Sequence, residues 1–271
     1  MREEHYKALL RATFDSVAGA FDCEALRFFG ESAEHLGTCL ELRGNEHVLD
    51  VATGTGHAAL AIASRLPKGQ VTGIDFSRGM LAQARKKASE LDLRNVLFLE
   101  RDMQNLGFPT DYFDAALSAF GIFFAGDMNA QLSHITSTIK PGSQVAISEF
   151  QENIFYPLAN LMFDRLAAYG VKQRLYDWKR IATEEECKKL FEQAGLENIR
   201  VNKRNMGYYL DSAEQWWDVI WNAGFRRLVA QLTPGDLQRF KREHLREVGS
   251  LKTTDGIWLE VGILFTVGTK P

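Results

Sequence analysis

The chain has 271 residues, of which 45% are hydrophobic and 25% are charged, a balance typical of a globular protein with one sizeable core. Its formal net charge of −3 gives no broad attraction to nucleic acid or to an anionic membrane, so we expect neither as a partner. The three cysteines lie far apart and form no C-x-x-C pair, which favours neither a disulfide framework nor a metal site.

Two stretches bear on location. The N-terminal residues lack the apolar core of a signal peptide, so we expect a cytoplasmic protein. The most apolar run, 115–126, is shorter than the ~20 helical residues that cross a bilayer. We interpret this run as a buried strand and its exit loop.

Residues 1–43 are predicted to form an N-terminal helical cap. Tyr6, Leu9 and Leu10 recur with helical spacing, and the segment from Glu24 to Leu42 carries apolar residues at steps of three or four. Such helices either cover the mouth of a cofactor site or pad one face of a sheet. The pattern alone leaves both interpretations open.

The stretch His47–His57 predicts a strand, a tight loop and the start of a helix. A short apolar run leads into Gly54-Thr55-Gly56, and the residues from Ala58 to Leu66 continue with helical spacing. Glycine adopts positive φ easily and lets a ligand approach the main chain, while the free N–H groups at a helix start favour an anion. The loop is therefore a candidate cradle for the anionic end of a cofactor.

A second strand, Gln70–Asp75, follows and also ends in an acid. An acidic side chain about 20 residues after a glycine loop in a βαβ unit accepts hydrogen bonds from a ribose, so Asp75 is the predicted sugar ligand. The segment Gly54–Ala59 also fits the loose G-x-G-x-x-A dinucleotide pattern. A nicotinamide-dependent oxidoreductase therefore stays open at this point.

Residues 44–150 predict the cofactor-binding core, because strands alternate there with helices as in a doubly wound parallel sheet. The remaining elements expected in it are strands at Val96–Glu100, Ala115–Phe120 and Gln144–Phe150, and helices that begin at the N-cap Ser77 and near Asn129. Ligands of such sheets bind at the carboxyl ends of the strands. We therefore expect Asp50, Asp75, Asp102 and Ser118–Phe120 to converge.

Two aromatic-rich insertions, 151–182 and 211–250, interrupt this alternation and predict a helical lid over an acceptor. Their aromatic residues either pack the lid or line an apolar acceptor pocket together with 118–124. The residues singled out are Tyr156, Phe163, Tyr169, Tyr176, Trp178, Trp216, Trp217, Trp221 and Phe225.

The segments 183–210 and 251–271 are predicted to complete the core sheet. Thr183 opens a helix with a capping box, and Asn198–Leu210 follows as a strand. Ile257–Gly268 alternates as the last strand.

Four segments resemble, in order along the chain, the motifs of class I S-adenosylmethionine (SAM)-dependent methyltransferases. Val48–Gly56 resembles their first motif, in the version with alanine for the first glycine that ubiquinone/menaquinone-type C-methyltransferases use. Phe14–Asp22 is similar to the N-terminal segment of that group, Leu97–Met103 to its adenine-contacting turn, and Phe113–Phe120 to its substrate-facing turn. The series covers roughly residues 14–150, and a weaker match follows at the C-terminal strands.

Two positions depart from the pattern. Phe21 stands where the group usually has tyrosine, and His57 stands where its quinone-methylating branch usually has an acid. A quinone acceptor therefore does not follow from the resemblance.

The resemblance implies a single domain, 1–271, with a Rossmann-like seven-stranded sheet that is mostly parallel, an antiparallel last strand, and helical lid insertions. It implies SAM as cofactor and S-adenosylhomocysteine (SAH) as product. Gly54 and Gly56 would then face the methionine part, and Asp102 with Met103 the adenine, while Asp50 would order the loop or bind the amino group. The full set of implied cofactor-binding residues is Phe21, Asp50, Ala52, Thr53, Gly54, Gly56, Asp75, Phe76, Met80, Asp102, Met103 and Ser118.

Methyl transfer from a sulfonium requires alignment and exclusion of water, and neither a metal nor a covalent intermediate. If the acceptor needs a general base, the candidates are His57, His134, Tyr169 and His244, none of them preferred. The turn at 118–121 is not N-P-P-Y and no cysteine follows proline, so we expect a small organic acceptor. A non-catalytic SAM-binding module stays open beside the oxidoreductase, as do a monomer and a homodimer.

Overall fold

The structure is a computed structural model that describes residues 3–171 and 177–271. Its helices are α1 Glu3–Val17, α2 Phe28–Thr38, α3 His57–Ala63, α4 Arg78–Glu90, α5 Met128–Thr138, α6 Leu158–Ala168, α7 Glu184–Gln193, α8 Ala213–Trp221, α9 Arg226–Val229 and α10 Pro234–Gly249. Its strands are β1 His47–Val51, β2 Gln70–Asp75, β3 Val96–Glu100, β4 Phe113–Ala119, β5 Ile139–Phe150, β6 Glu197–Asn205, β7 Tyr208–Leu210, β8 Ile257–Leu259 and β9 Gly262–Thr269. Short 3₁₀ turns lie at Glu24–Leu26, Ile122–Phe124 and Asp177–Arg180.

Seven strands form one sheet in the order β3-β2-β1-β4-β5-β9-β6. The five strands from β3 to β5 pair in parallel, and β9 runs antiparallel to both β5 and β6. The predicted fold class is confirmed. Because the parallel strands end at one edge, the loops that follow β1, β2, β3 and β4 meet there.

Helix starts follow the local chemistry of the sequence. The Ser77 hydroxyl accepts from the Met80 N–H at the start of α4, as predicted. Thr183 forms the expected capping box with Glu186 at the start of α7, and Thr233 caps α10 just before Pro234. In the described residues, no helix is long and apolar enough to cross a membrane.

The strand predicted over Asn198–Leu210 is wrong as a single element. It divides into β6 in the main sheet and β7, which pairs with β8 in a separate two-stranded sheet. The break lies at Gly207, where a Cβ atom would stand 2.6 Å from the Leu259 carbonyl oxygen. The last predicted strand, Ile257–Gly268, divides in the same way into β8 and β9.

Three smaller boundaries also differ from the sequence-based expectation. The helix expected over Glu24–Leu42 starts with a 3₁₀ turn, and α2 begins only at Phe28. Strand β5 starts at Ile139, which pairs with Phe113 ahead of an irregularity in the ladder. The spacing of Trp217, Trp221, Gly224 and Leu228 predicts one helical stripe, but α8 ends at Trp221 and Leu228 lies on α9. Tyr176 lies outside the described residues.

The helices of the two insertions are joined by ion pairs. Arg165 on α6 pairs with Glu243 at 3.0 Å and with Glu247 at 2.8 Å, both on α10. Trp216 on α8 is fully buried, and its Nε1 donates to Nε2 of His244, also on α10, at 2.8 Å. These contacts fix α6, α8 and α10 to one another beside the sheet.

Candidate cofactor and acceptor site

A cavity opens at the carboxyl ends of the parallel strands. Of the twelve predicted cofactor-binding residues, ten line it: Phe21, Asp50, Ala52, Thr53, Gly54, Asp75, Phe76, Met80, Asp102 and Met103. Gly56 and Ser118 do not.

The two loop glycines have different surroundings. Both have positive φ, 54° at Gly54 and 84° at Gly56. A Cβ atom on Gly54 would meet nothing within 4 Å, whereas one on Gly56 would stand 3.0 Å from the Ala84 Cβ and 3.1 Å from the Phe98 ring. Gly54 therefore leaves its backbone open to the cavity, and Gly56 lets α3 begin tightly against α4 and β3. The expectation that both glycines face a ligand is corrected for Gly56.

Asp50 is fully buried at the base of the cavity. Its Oδ2 accepts from the Thr53 hydroxyl at 2.5 Å and from the Ala59 N–H at 3.1 Å, while Oδ1 has no hydrogen-bond partner. Burial raises the pKa of Asp50 to about 7, and the nearby negative charge of Asp75 acts in the same direction. One oxygen thus orders the loop, and the other is buried without a hydrogen-bond partner in the protein.

Asp75 lies at the end of β2 with 7% of its surface exposed. Its Oδ2 accepts from the Gly54 N–H at 2.9 Å and its Oδ1 from the Ser77 N–H at 2.8 Å. Burial raises its pKa to about 6. Each oxygen keeps a lone pair, so Asp75 can accept from a diol and hold the glycine loop at the same time.

The turn after β3 is held from two sides. Asp102 accepts from the Gln104 N–H with Oδ1 and pairs with Lys7 of α1 through Oδ2 at 2.8 Å. The Met103 carbonyl accepts from Gln131 of α5 at 2.8 Å. Lys7, which the sequence analysis did not single out, also lines the cavity.

Ser118 has a structural contact in place of the predicted ligand contact. Its hydroxyl donates to the Val51 carbonyl at 2.9 Å, and its surface is 1% exposed. It therefore ties the end of β4 to the end of β1 from outside the cavity.

The half of the cavity away from the acids is aromatic. Phe120 and Phe150 stack there with ring centroids 4.4 Å apart, at the ends of β4 and β5. The other aromatic residues of this half are Phe28, Phe29, Phe123, Phe124, Phe155, Trp178 and Phe225. The sequence analysis did not single out Phe28, Phe29 and Phe155 for the pocket. Phe150 is the last residue of a predicted strand, and this position could have identified it as a cavity residue.

Three of the tryptophans considered for the acceptor pocket pack the lid and do not line the cavity. Trp216 bonds to His244, and Trp217 stacks on Trp221 with ring centroids 5.8 Å apart. Of the insertion aromatic residues that the sequence singles out, Phe225 and Trp178 line the cavity.

Among the four candidate bases, only His57 lines the cavity. The Tyr169 hydroxyl donates to Glu243 at 3.0 Å, and burial lowers the pKa of His244 to about 4. The Nε2 atom of His57 lies 2.7 Å from Asp22, and its Nδ1 would stand 3.2 Å from a Cβ on Gly30. One ring nitrogen of His57 thus meets the Asp22 carboxylate, and the other lies close to Gly30.

Comparison with known proteins decides between the interpretations that the glycine loop left open. The model of a methyltransferase domain family matches residues 48–142. A demethylmenaquinone methyltransferase of Listeria monocytogenes is 30% identical over 177 residues, which cover 59% of this chain and 74% of the relative. The chain belongs to the class I SAM-dependent methyltransferases.

Further likenesses agree with this family. Aklanonic acid methyltransferase DauC of Streptomyces sp. (strain C5) is 29% identical over 149 residues, covering 55% of this methyltransferase and 68% of DauC. The YcgJ protein of Bacillus subtilis shares the fold with a TM-score of 0.61 at 19% identity, over 89% of this chain and 98% of that one. The nicotinamide-dependent oxidoreductase alternative is thereby set aside.

The cofactor of this methyltransferase is SAM, and the cavity fits it in two respects. The unpartnered Oδ1 of Asp50 suits a cationic amino group, and the open face of Gly54 admits a ligand against the backbone. In the described residues, no three His, Cys, Asp or Glu side chains come together as a metal site would require.

Proposed function

We propose that this methyltransferase acts on a flat, largely apolar acceptor with fused rings. The observation that carries the proposal is the aromatic half of the cavity, with the stacked pair Phe120 and Phe150 at its base. Such walls bind planar aromatic molecules through burial and offset stacking. The names of two relatives, aklanonic acid methyltransferase and demethylmenaquinone methyltransferase, support this acceptor class.

The cofactor would lie in the acidic half. Asp50 Oδ1 would accept from the amino group of SAM, Gly54 would lie along the methionine part, and Asp75 would accept from the ribose hydroxyls. Asp102 would contact the adenine through its polar atoms. The remaining walls would come from Phe21, Ala52, Thr53, Phe76, Met80 and Met103.

The aromatic half also bears on how the acceptor loses its proton. Of its described lining residues from α2, the ends of β4 and β5 and the insertions, none is His, Asp, Glu, Lys or Cys. SAM supplies a methyl group that is already activated, since its leaving group is a neutral thioether. The protein's part is to align the acceptor and exclude water, which contributes up to ~7–11 kcal/mol. We therefore propose an acceptor whose reacting group ionises without a protein base, such as a carboxylic acid or an enol conjugated with a carbonyl group.

We further propose that residues 1–271 act as one domain in the cytoplasm, with 1–43 as a cap, 44–150, 183–210 and 251–271 as the core, and 151–182 and 211–250 as the lid. The contacts of α6 and α8 with α10 support the lid as one packed unit.

The test is transfer from tritiated SAM to a panel of acceptors under anaerobic conditions. The panel holds 1,4-dihydroxynaphthalene, 1,4-dihydroxy-2-naphthoic acid and a hydroxyanthraquinone carboxylic acid, against histamine and phosphoethanolamine. We expect label on the fused-ring compounds only. Label on the amines alone would contradict the proposal.

A pair of variants sharpens the test. Phe150→Ala should reduce transfer to the fused-ring acceptor while leaving SAM binding unchanged. Phe108→Ala, which removes a ring outside the cavity, is the matched control and should transfer normally.

A further inference from the structure

We propose that Asp22 is a positioning residue that holds the second half of the glycine loop and thereby sets affinity for the amino-acid part of SAM. The inference rests on the proposed function, because that function assigns the loop to the methionine end of the cofactor.

Asp22 lies just after α1 and joins it to two elements of the core. Its Oδ1 accepts from the Thr55 hydroxyl at 2.7 Å and lies 2.7 Å from His57 Nε2. Its Oδ2 pairs with Lys87 of α4 at 2.8 Å, and Lys87 also donates to the Thr55 hydroxyl at 3.2 Å. One carboxylate thus serves three side-chain donors.

The two halves of the glycine loop are held by different parts of the chain. Asp50 and Asp75 of the core hold the first half, through the Thr53 hydroxyl and the Gly54 N–H. In the second half, Gly56 precedes α3 and supplies no side-chain cap. The side chains of Thr55 and His57 bond to Asp22, which comes from the N-terminal cap, and Thr55 also accepts from Lys87 of α4.

The conformation of this loop needs such support. Ala52, Gly54 and Gly56 all have positive φ, and at Ala52, with φ at 58°, the Cβ atom makes this backbone conformation unfavourable. A loop of this kind keeps its shape when neighbouring groups hold it from both ends. Without Asp22, the end nearest α3 would be held through Thr55 by Lys87.

Asp22 remains charged throughout the working pH range. Burial would raise its pKa, but hydrogen bonds from His57, Lys87 and Thr55 lower the pKa well below the ordinary value. Asp22 does not itself line the cavity, whereas Thr55 and His57 do. Its influence on the cofactor therefore passes through the loop.

A neighbouring link provides an internal comparison. Asp15 of α1 accepts from the Ser77 hydroxyl at 2.6 Å and from the Gly79 N–H at 2.9 Å, so it holds the turn after β2 that follows Asp75. Loss of the Asp15 link should affect the ribose end, and loss of the Asp22 link the amino-acid end.

The experiment is isothermal titration of two ligands that differ in the amino-acid part, SAH and 5′-methylthioadenosine. For Asp22→Asn we expect SAH to bind about tenfold more weakly, while 5′-methylthioadenosine changes less than twofold. Asp15→Asn should weaken both ligands together. The matched control is Asp111→Asn, which breaks a surface pair with Lys270 at the opposite edge of the sheet and should change neither.

Thr55→Val provides a second variant, since it keeps the side-chain shape and removes one donor to Asp22. Thr55→Val should also lower the affinity for SAH, by a smaller factor than Asp22→Asn. Equal weakening of both ligands by Asp22→Asn and Thr55→Val, or no weakening, would overturn the inference and leave the proposed function standing. Wild-type protein that binds 5′-methylthioadenosine and SAH with equal affinity would overturn the loop assignment itself.

Discussion

Asp50 and Thr53 share a hydrogen bond of 2.5 Å that takes one oxygen of a fully buried carboxyl group and leaves the other unpartnered at the cavity. This arrangement links the charge state of Asp50 to both folding and cofactor binding.

The unliganded protein should lose stability as pH rises from about 4 to about 7 on account of Asp50 and Asp75. Burial raises their pKa values to about 7 and about 6, above the ordinary value of about 3.9, so the folded state holds protons that the unfolded state releases. Urea unfolding of wild type and Asp50→Asn at pH 5 and pH 8 measures this. Relative to wild type, the free energy of unfolding of Asp50→Asn should be higher at pH 8 than at pH 5. The same difference between the two proteins at both pH values would contradict the expectation.

Binding of SAM should release protons near pH 6.5. The positive charges of the ligand favour the ionised forms of the two acids, which lowers their pKa values, and affinity should therefore rise between pH 5.5 and 8. Titration calorimetry in buffers of different ionisation enthalpy counts the protons released. Asp50→Asn should release fewer protons on binding than wild type. Equal release by the two proteins would show that another group loses the proton.

Asp75→Ala should weaken SAM and SAH by one to two orders of magnitude. A carboxylate that accepts from the ribose and from the Gly54 N–H makes charge-assisted hydrogen bonds of about 1.5–3 kcal/mol. Direct titration of both ligands is the measurement, with Asp92→Ala, an exposed acid outside the cavity, as control. Unchanged affinity would show the ribose assignment to be wrong.

Arg180→Ala should raise the KM for the acceptor without changing SAM affinity. Arg180 donates to the carbonyls of Phe123, Ala125 and Gly126, at 2.5, 2.7 and 3.0 Å, and thus fixes the turn that presents two phenylalanines to the acceptor half. Steady-state kinetics with the best acceptor of the panel tests this. Arg94→Ala, which removes an exposed surface arginine, should behave as wild type.

Trp216→Phe should lower stability and leave SAM affinity unchanged. The change removes the donor to His244 and part of a fully buried ring, which we expect to cost about 1–3 kcal/mol. Thermal unfolding and titration together measure the two effects. Trp221→Ala, which the sequence pattern links to acceptor use, should likewise act on stability, because the ring packs on Trp217 outside the cavity.

The acids and the open glycine could be placed from the sequence because a parallel sheet brings successive strand ends to one edge. The positions of Asp50, Gly54 and Asp75 depend only on where β1 and β2 end. The local sequence pattern predicts these two strand ends well. Ser118 lies at such an end too, yet its hydroxyl bonds to Val51. The register between β1 and β4 decides this contact, and no segment encodes that register alone.

The aromatic wall and the cap contacts depend on packing between distant parts of the chain. Phe28 and Phe155 meet at a centroid distance of 5.6 Å across 127 positions, and helical spacing cannot show which neighbour a ring will face. For the same reason the sequence could not decide whether Trp221 packs the lid or lines the acceptor pocket. Asp22 and Lys87 likewise pair across separate elements.

The three links from the N-terminal cap also bear on how short the chain can be made. A polypeptide beginning after Asp22 would retain every strand of the sheet but lose Lys7, Asp15 and Asp22, which contact the loops after β3, β2 and β1 in turn. We therefore expect the shortest chain that folds to lack this N-terminal segment, and the shortest chain that still binds the cofactor to include it.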